Sequence, residues 1–412
     1  MESLQNMEYQ THKLSNGLRI IHKYDQGAVA YCGMVINTGS RDETDQEQGL
    51  AHFVEHMLFK GTSRRRSGHI INRLENVGGE LNAFTSKEET VVYAAVLREH
   101  LEKAVDLIGD IVFNSTFPEK ELEKERVIIL DEIQSYLDSP SEQIYDDFEE
   151  ILFDHHPIGH NILGRPDLLE HYHASDLRAF VDRQYRPENM VFFVLGEIDM
   201  KKVIRMAERY FVCRGNNSTP LQRTAPEAYP VGRQQTAKDT FQVHFMLGGR
   251  AYDLQHPDRM GMYLLNNILG GPGMNSLLNL SLREKNGLVY TVESSYQPMS
   301  DTGMWSVYFG CDASNFARCE RLVRLELKKL REQLIPEKQL KKYQYQLLGQ
   351  MAISSEQKEN LAISLGKSLL RFDKVDPMET VRAHIMELTA EKLRDIANEL
   401  FVEEKISTLK YC

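Results

Sequence analysis

A short apolar segment of the chain carries two histidines and a glutamate at a spacing suited to metal chemistry. The segment runs Gly49-Leu50-Ala51-His52-Phe53-Val54-Glu55-His56-Met57-Leu58-Phe59. In a helix, His56 lies ~40° around the axis from His52, and Glu55 lies ~60° on the other side of His52. The two imidazoles could bind one Zn²⁺, and the carboxylate could take a proton from a zinc-bound water. The motif predicts a hydrolytic site, unless its three residues share a helix by chance.

A second helix supplies candidates for a third ligand. The segment from Pro118 to Ile133 is predicted to be a long helix with a proline at its first position. Glu125 and Glu132 are seven residues apart in it, which places them only ~20° apart around the axis. A catalytic zinc is held by three protein ligands and keeps one position open. Glu132 is therefore predicted to be the third ligand, with Glu125 behind it.

The motif and the distal glutamate resemble the pitrilysin (insulinase-type) family of zinc metallopeptidases, and in particular its short-chain branch related to the mitochondrial processing peptidase. The order His-x-x-Glu-His is the inverzincin pattern, and Glu132 follows His56 by 76 positions, which matches the family spacing. The resemblance covers nearly the whole chain. It implies that His52, His56 and Glu132 bind zinc. It also implies that Glu55 is the general base and Glu125 a supporting acid.

A β-hairpin is predicted from the extended segments Glu80–Thr85 and Thr90–Val96. In the family, the first of these strands lies at a sheet edge and pairs with the backbone of the substrate. The resemblance places that role on Asn82-Ala83-Phe84-Thr85. Strand addition of this kind gives affinity with little sequence preference. From the residues alone, an ordinary hairpin with an exposed asparagine is the simpler interpretation.

The second half of the chain repeats the pattern of the first. Pro118-Glu119-Lys120-Glu121-Leu122 is echoed 218 positions later by Pro336-Glu337-Lys338-Gln339-Leu340, and a similar echo links 177–185 with 393–401. A linker is predicted at 215–232, where proline and asparagine are frequent and large aliphatic residues are few. The chain is thus predicted to consist of a catalytic zinc-binding module, 1–214, and a homologous module, 233–412.

The second copy lacks the metal ligands of the first. The positions that correspond to His52, Glu55, His56 and Glu132 hold Tyr263, Asn266, Asn267 and Gln350. The second copy does contain Arg283 and Tyr290, seven residues apart, and these resemble an Arg and Tyr pair of the family. The resemblance implies that they stabilise the oxyanion of the tetrahedral intermediate. Without it, the Arg-Glu-Lys run before Gly287 is explained as a solvated helix end.

Composition limits the classes of partner. A chain of 412 residues suggests two or three domains, and a net charge of −11 argues against a nucleic-acid partner. The sequence has no long apolar run and no basic-then-apolar segment near Met1, so we expect no membrane association and no export signal. Five scattered cysteines indicate neither a disulfide framework nor a cysteine metal site. These features predict a soluble, cytoplasmic protein.

Together, these observations predict an α+β fold of two duplicated modules, each a mainly antiparallel sheet covered on one face by helices. The resemblance implies a zinc-dependent endopeptidase, with Zn²⁺ as its cofactor, that cleaves short or unfolded peptides. Longer family members enclose the substrate between four such modules like a clam-shell. A chain with two modules should therefore form a homodimer, or a heterodimer with a related subunit. The partner subunit would supply the Arg and Tyr pair.

Two other functions are compatible with parts of the pattern. The family includes core subunits of respiratory complexes that have lost the metal site, so a non-catalytic scaffold or assembly subunit is one alternative. The presence of every metal residue argues against it. Hydrolysis of a non-peptide substrate is the other alternative. Cleavage of a mixed peptide library distinguishes a peptidase from both.

Overall fold

The structure is a computed structural model that describes residues 9–212, 222–227, 229 and 231–412. Half of the predicted linker lies outside the described residues, and its described part forms neither helix nor strand. Within the described residues, the chain forms two compact units. The first takes Met1–Ile133, His160–Arg223 and Ile353–Pro377, and the second takes Gln134–Gly159, Thr224–Ala352 and Met378–Cys412. Each unit therefore contains segments from both halves of the sequence, unlike the predicted modules 1–214 and 233–412.

Strands and helices are labelled in chain order. The strands are β1 (Gln10–Lys13), β2 (Arg19–Tyr24), β3 (Val29–Ile36), β4 (Glu80–Thr85), β5 (Thr90–Leu97), β6 (Met190–Gly196), β7 (Arg233–Thr236), β8 (Val243–Ala251), β9 (Val289–Pro298), β10 (Gly303–Cys311) and β11 (Ser407–Tyr411). The helices are α1 (Leu50–Leu58), α2 (Ser67–Glu75), α3 (Leu101–Asn114), α4 (Glu119–Leu137), α5 (Pro140–Leu152), α6 (Pro166–Leu169), α7 (Ala174–Gln184), α8 (Met200–Tyr210), α9 (Arg259–Gly270), α10 (Phe316–Glu332), α11 (Glu337–Ser355), α12 (Lys358–Phe372), α13 (Met378–Glu387) and α14 (Ala390–Leu400). None of these helices, in the part of the chain that the structure describes, has the length and apolar character needed to cross a bilayer.

The first unit contains a six-stranded sheet in the order β1-β2-β6-β3-β5-β4. Every neighbouring pair is antiparallel except β2 and β6, so the predicted mainly antiparallel sheet is confirmed. The predicted hairpin is also confirmed, as β4 and β5. β4 lies at one edge of the sheet because it pairs with β5 alone.

Helices cover both faces of this sheet. On one face, α1, α3, α7 and α8 pack against residues such as Met34, Val92 and Phe192. On the other face, α12 packs against residues such as Ile21, Val35 and Phe193. The prediction of a single covered face is therefore wrong. Side chains of a strand alternate between the two faces of the sheet, and both sets are apolar in β3 and β6.

The second unit has the same construction. Its five-stranded sheet has the order β7-β11-β8-β10-β9, and the β11–β7 pair is its parallel pair. Helices α9, α10 and α14 cover one face through a core that includes Trp305 and Phe401. Helix α5 covers the other face, where Phe148 packs among residues such as Met246 and Tyr411.

The predicted internal duplication is visible in matched helices. Helices α4 and α11 have 19 residues each and begin 218 positions apart. Helices α7 and α14 have 11 residues each and begin 216 positions apart. The same offset of 218 relates α5 to α12, yet α5 belongs to the second unit and α12 to the first. The two halves of the chain have thus exchanged equivalent helices.

Candidate metal centre

The three predicted ligands meet in the first unit. His52 and His56 lie on α1 and Glu132 lies on α4, and one ligand atom from each falls within 4.8 Å of the others. Glu132 Oε2 is 3.9 Å from His52 Nε2 and 3.7 Å from His56 Nε2. Among the described residues, this is the one group of His, Cys, Asp or Glu side chains arranged to hold a metal ion.

The chemistry of this donor set fits zinc. Burial, assisted by the neighbouring His56, lowers the pKa of His52 to about 3, so its imidazole is neutral and offers a lone pair. Two imidazoles and one carboxylate form a ligand set typical of catalytic zinc, which keeps a further position open. The Glu132 side chain is 38% exposed, so the cluster is accessible from solvent.

Helix α1 is fixed at its N-terminus by a buried carboxylate. Glu43 accepts hydrogen bonds from the backbone N–H groups of Gly49, at 3.0 Å, and Ala51, at 2.7 Å. These N–H groups have no partner within the helix. Burial raises the pKa of Glu43, and the two backbone donors oppose that effect. Sequence analysis missed this contact because Glu43 lies six residues before Gly49, outside the usual capping positions.

Gly49 itself is required by close packing at the start of α1. Its φ is +90°, in the left-handed region that favours glycine. A Cβ atom there would lie 2.7 Å from the Leu163 carbonyl oxygen and 2.8 Å from Gly164 Cα. The metal-binding helix therefore begins at a position that tolerates no side chain.

Glu55 lies beside the ligands and contacts the edge strand. Its Oε2 accepts a hydrogen bond of 2.6 Å from the Thr85 hydroxyl at the end of β4. Burial raises the pKa of Glu55, whereas the Thr85 hydrogen bond and His56 oppose the increase. A carboxylate whose pKa is raised towards neutrality is better suited to accept a proton at physiological pH. Thr85 was predicted only as a substrate-strand residue, so its contact with Glu55 is an addition from the structure.

Glu125, which was predicted to lie behind Glu132, contacts His56. Its Oε2 is 3.1 Å from His56 Nδ1, and its Oε1 is 2.5 Å from the Lys60 ammonium. The Glu125 side chain is buried, with 6% of its surface exposed. An imidazole that donates Nδ1–H to a carboxylate keeps Nε2 free for a metal, which is the common arrangement around ligating histidines. Lys60 was missed by the sequence analysis, although it follows His56 by one helical turn.

The predicted substrate strand, Asn82-Ala83-Phe84-Thr85, forms most of edge strand β4. The turn that follows it is held by ion pairs from buried Glu89 to Lys367 and Arg371 of α12. The Lys367 ammonium also lies 4.9 Å from the centre of the Phe84 ring. The segment thus has the open edge that strand addition requires, and its role in binding substrate stays a prediction.

Arg283 and Tyr290 come together in the second unit. Arg283 lies in a π-helical turn, Asn279–Glu284, and Tyr290 lies in β9. The guanidinium carbon is 5.7 Å from the centre of the Tyr290 ring. The Tyr290 residue is 82% exposed and the Arg283 side chain 43% exposed. Both groups are therefore accessible, and their catalytic role stays a prediction.

The second unit contains a hydrogen bond that corresponds to the one between Thr85 and Glu55, but it has no carboxylate at the position of Glu55. Asn266, which corresponds to Glu55, accepts a hydrogen bond from the Ser294 hydroxyl and donates one to the Ser294 carbonyl oxygen. Ser294 lies in β9, an edge strand of the second sheet, as Thr85 lies in the edge strand β4 of the first. Because an amide does not accept protons as a carboxylate does, this copy keeps the helix-to-edge contact but not the predicted base.

Comparisons with known proteins identify the family of the chain and relatives that are named zinc proteases. Residues 19–166 match the model of insulinase (peptidase family M16), and residues 172–347 match that of the peptidase M16 inactive domain. An uncharacterized zinc protease of Bacillus subtilis, YmxG, is 32% identical over 94% of this chain and 95% of its own length. An uncharacterized zinc protease of Mycobacterium leprae, ML0855, is 33% identical over 94% of this chain and 88% of its own length.

Solved structures show the same fold. A peptidase M16 inactive domain protein from Pseudomonas fluorescens superposes with a TM-score of 0.91 at 20% identity, with 98% of each chain covered. A protease from Helicobacter pylori gives a TM-score of 0.90 at 22% identity, with 98% of this chain and 99% of that chain covered. The chain belongs to the insulinase family, peptidase M16. The predicted family is confirmed.

Proposed function

We propose that the protein is a zinc-dependent endopeptidase that hydrolyses peptide bonds at the cluster of His52, His56 and Glu132. The meeting of these three side chains within 4.8 Å carries the proposal. Glu55, on the same helix as the two histidines, supplies a proton acceptor. The zinc-protease names of the relatives support the same activity.

The residues around the cluster have distinct roles in this proposal. Zinc held by His52, His56 and Glu132 would supply Lewis-acid chemistry for the hydrolysis. Glu55 accepts the proton that the attacking water loses and then delivers it to the leaving amine. The hydrogen bond from the Thr85 hydroxyl to Glu55 Oε2 orients this carboxylate. Glu125 keeps the His56 ring in its orientation through Nδ1.

A peptide substrate would bind as an added strand along β4. The open edge of β4 offers backbone N–H and C=O groups that pair with any extended chain. Because β4 ends at Thr85, which contacts Glu55, the added strand passes close to the proton acceptor. This mode of binding favours short or unfolded peptides, since a folded protein does not present a free extended segment.

The direct test is digestion of a mixed peptide library by the purified, zinc-loaded protein. We expect internal peptide bonds to be cut, cleavage to stop when a chelator removes the metal, and cleavage to return when zinc is restored. A folded protein that resists unfolding should survive the same treatment. Absence of cleavage across the library by zinc-loaded protein would reject the peptidase and favour a scaffold role or a non-peptide substrate.

The proposal includes a homodimer in which the Arg283 and Tyr290 pair of one chain acts at the zinc of the other. Loss of a general base typically lowers the rate ~10²- to 10⁴-fold, and loss of an oxyanion donor lowers kcat ~10²- to 10³-fold. Glu55→Gln and Arg283→Ala should therefore each be nearly inactive. When the two variants are mixed and allowed to exchange subunits, half of the dimers should be mixed. Each mixed dimer has one intact site, so activity should return to about a quarter of the wild-type value.

A matched control separates this arrangement from a site completed within one chain. Mixing Glu55→Gln with His52→Ala should restore nothing, because both changes damage the zinc-bearing side of the site. If Glu55→Gln and Arg283→Ala likewise restore nothing although subunit exchange is demonstrated, the two residues do not act across the dimer.

A further inference from the structure

Lys60 lies close to the metal cluster and contacts Glu125, the carboxylate beside His56. Helix α1 ends at Leu58, and Lys60 is the second residue after it. The backbone N–H of Lys60 donates a hydrogen bond of 3.2 Å to the Met57 carbonyl oxygen. Its ammonium lies 2.5 Å from Glu125 Oε1. The other oxygen of the same carboxylate lies 3.1 Å from His56 Nδ1. Glu125 therefore bridges Lys60 and His56, with one oxygen assigned to each.

We propose that Lys60 is a positioning residue of the metal centre, which holds Glu125 in the orientation that directs His56 Nε2 towards the zinc. The inference rests on the proposed function, because it assumes that the cluster binds zinc. Lysine has three donors and no acceptor, so it binds one carboxylate oxygen and leaves the other to accept Nδ1–H. With Nδ1 protonated, the lone pair of the ring is on Nε2, the nitrogen 3.7 Å from Glu132 Oε2.

Burial makes this contact more important than an ordinary surface ion pair. The side chains of Glu125 and Lys60 are 6% and 25% exposed, respectively. Removing one partner of a buried pair leaves the other charge uncompensated, which is destabilising. Without Lys60, the Glu125 carboxylate would therefore tend to turn towards solvent. On α4, the helix that carries Glu125, Lys124 and Glu121 form an ion pair at 2.8 Å, but the Lys124 side chain is 65% exposed. Exposed pairs of that kind contribute little, which makes Lys124 a matched control.

The test measures zinc affinity rather than activity alone. Zinc dissociation constants are determined by competition with a chromophoric chelator for wild type, Lys60→Met, Lys60→Arg and Lys124→Met. Loss of a group that orients a metal ligand typically weakens metal binding ~10- to 100-fold, and we expect Lys60→Met to fall in that range. Lys60→Arg keeps a cation and should recover most of the affinity. Lys124→Met should bind zinc as wild type does.

A double-mutant cycle shows whether Lys60 acts through Glu125. We expect Glu125→Gln to weaken zinc binding, and Lys60→Met added to Glu125→Gln to weaken it little further, because residues of one network are not additive. The visible absorption spectrum of the cobalt-substituted protein should change in Lys60→Met and not in Lys124→Met. A lysine that only stabilises the fold would lower the melting temperature without changing that spectrum.

The outcomes distinguish the two proposals. If wild type fails to bind zinc, the proposed function is wrong. If wild type binds zinc and folded Lys60→Met binds it equally tightly with the same cobalt spectrum, only the role of Lys60 is wrong. Additive losses in the cycle would also overturn it. Should Lys60→Met not fold, Lys60→Gln takes its place in the same cycle, under the same criteria.

Discussion

Glu55→Gln is expected to give a folded, zinc-loaded protein that has lost peptidase activity. Glutamine has nearly the same shape and can still accept the hydrogen bond from Thr85 through its carbonyl oxygen. It cannot take a proton from the attacking water. General base catalysis typically contributes ~10²- to 10⁴-fold, so kcat should fall by that factor. The measurement is kcat on a peptide identified in the library digest, together with metal analysis of the same sample.

The exposed glutamate Glu75 on α2 provides the matched control, and Glu75→Gln should leave both kcat and zinc content unchanged. If Glu55→Gln keeps full activity, the base has been assigned to the wrong residue. If it loses zinc as well as activity, Glu55 contributes to metal binding, and its separate role as proton acceptor is contradicted.

His52→Ala is expected to abolish stable zinc binding and, with it, activity. The change removes one of three ligands from a cluster whose remaining members, His56 and Glu132, do not form a catalytic zinc set by themselves. A ligand that binds only the folded state stabilises it, by about 2.7 kcal/mol at a hundred times its dissociation constant. Wild type should therefore melt at a higher temperature when zinc is added, whereas His52→Ala should not respond.

The control for this prediction is His69, an exposed histidine on α2. His69→Ala should bind zinc with unchanged stoichiometry and show the same zinc-dependent shift of the melting temperature as wild type. Retention of one tightly bound zinc per chain in His52→Ala would show that the metal is held elsewhere, and the assignment of the cluster would fail.

The metal cluster could be predicted from sequence because helical periodicity is a local property. His52 and His56 are one turn apart, and Glu125 and Glu132 are two turns apart, so any helix places each pair on one face. What joins the two helices is a long-range contact, and the resemblance supplied it. Lys60 was missed for the same reason, since its partner, the carboxylate of Glu125, is set by tertiary packing. Glu43 was missed because it lies outside the usual capping positions of α1.

The covering of both faces of the first sheet is reflected in the sequence of one strand. Residues Met190–Leu195 are all apolar, and a strand with an unbroken apolar run is typical of sheets buried on both sides. Every residue of β6 is indeed buried. The sequence does not indicate which helix packs on the second face of the sheet. That helix is α12, which follows β6 by more than 150 residues, and no local pattern links the two.

The exchange of α5 and α12 explains why the half of the chain without metal ligands cannot simply be discarded. A protein shortened to its first 212 residues would keep His52, His56 and Glu132 but lose α12. The apolar face formed by residues such as Ile21, Val35 and Phe193 would then be open to water. Each half of the chain therefore supplies one covering helix to the unit of the other half, and the fold needs the second half although its corresponding positions hold no metal ligands.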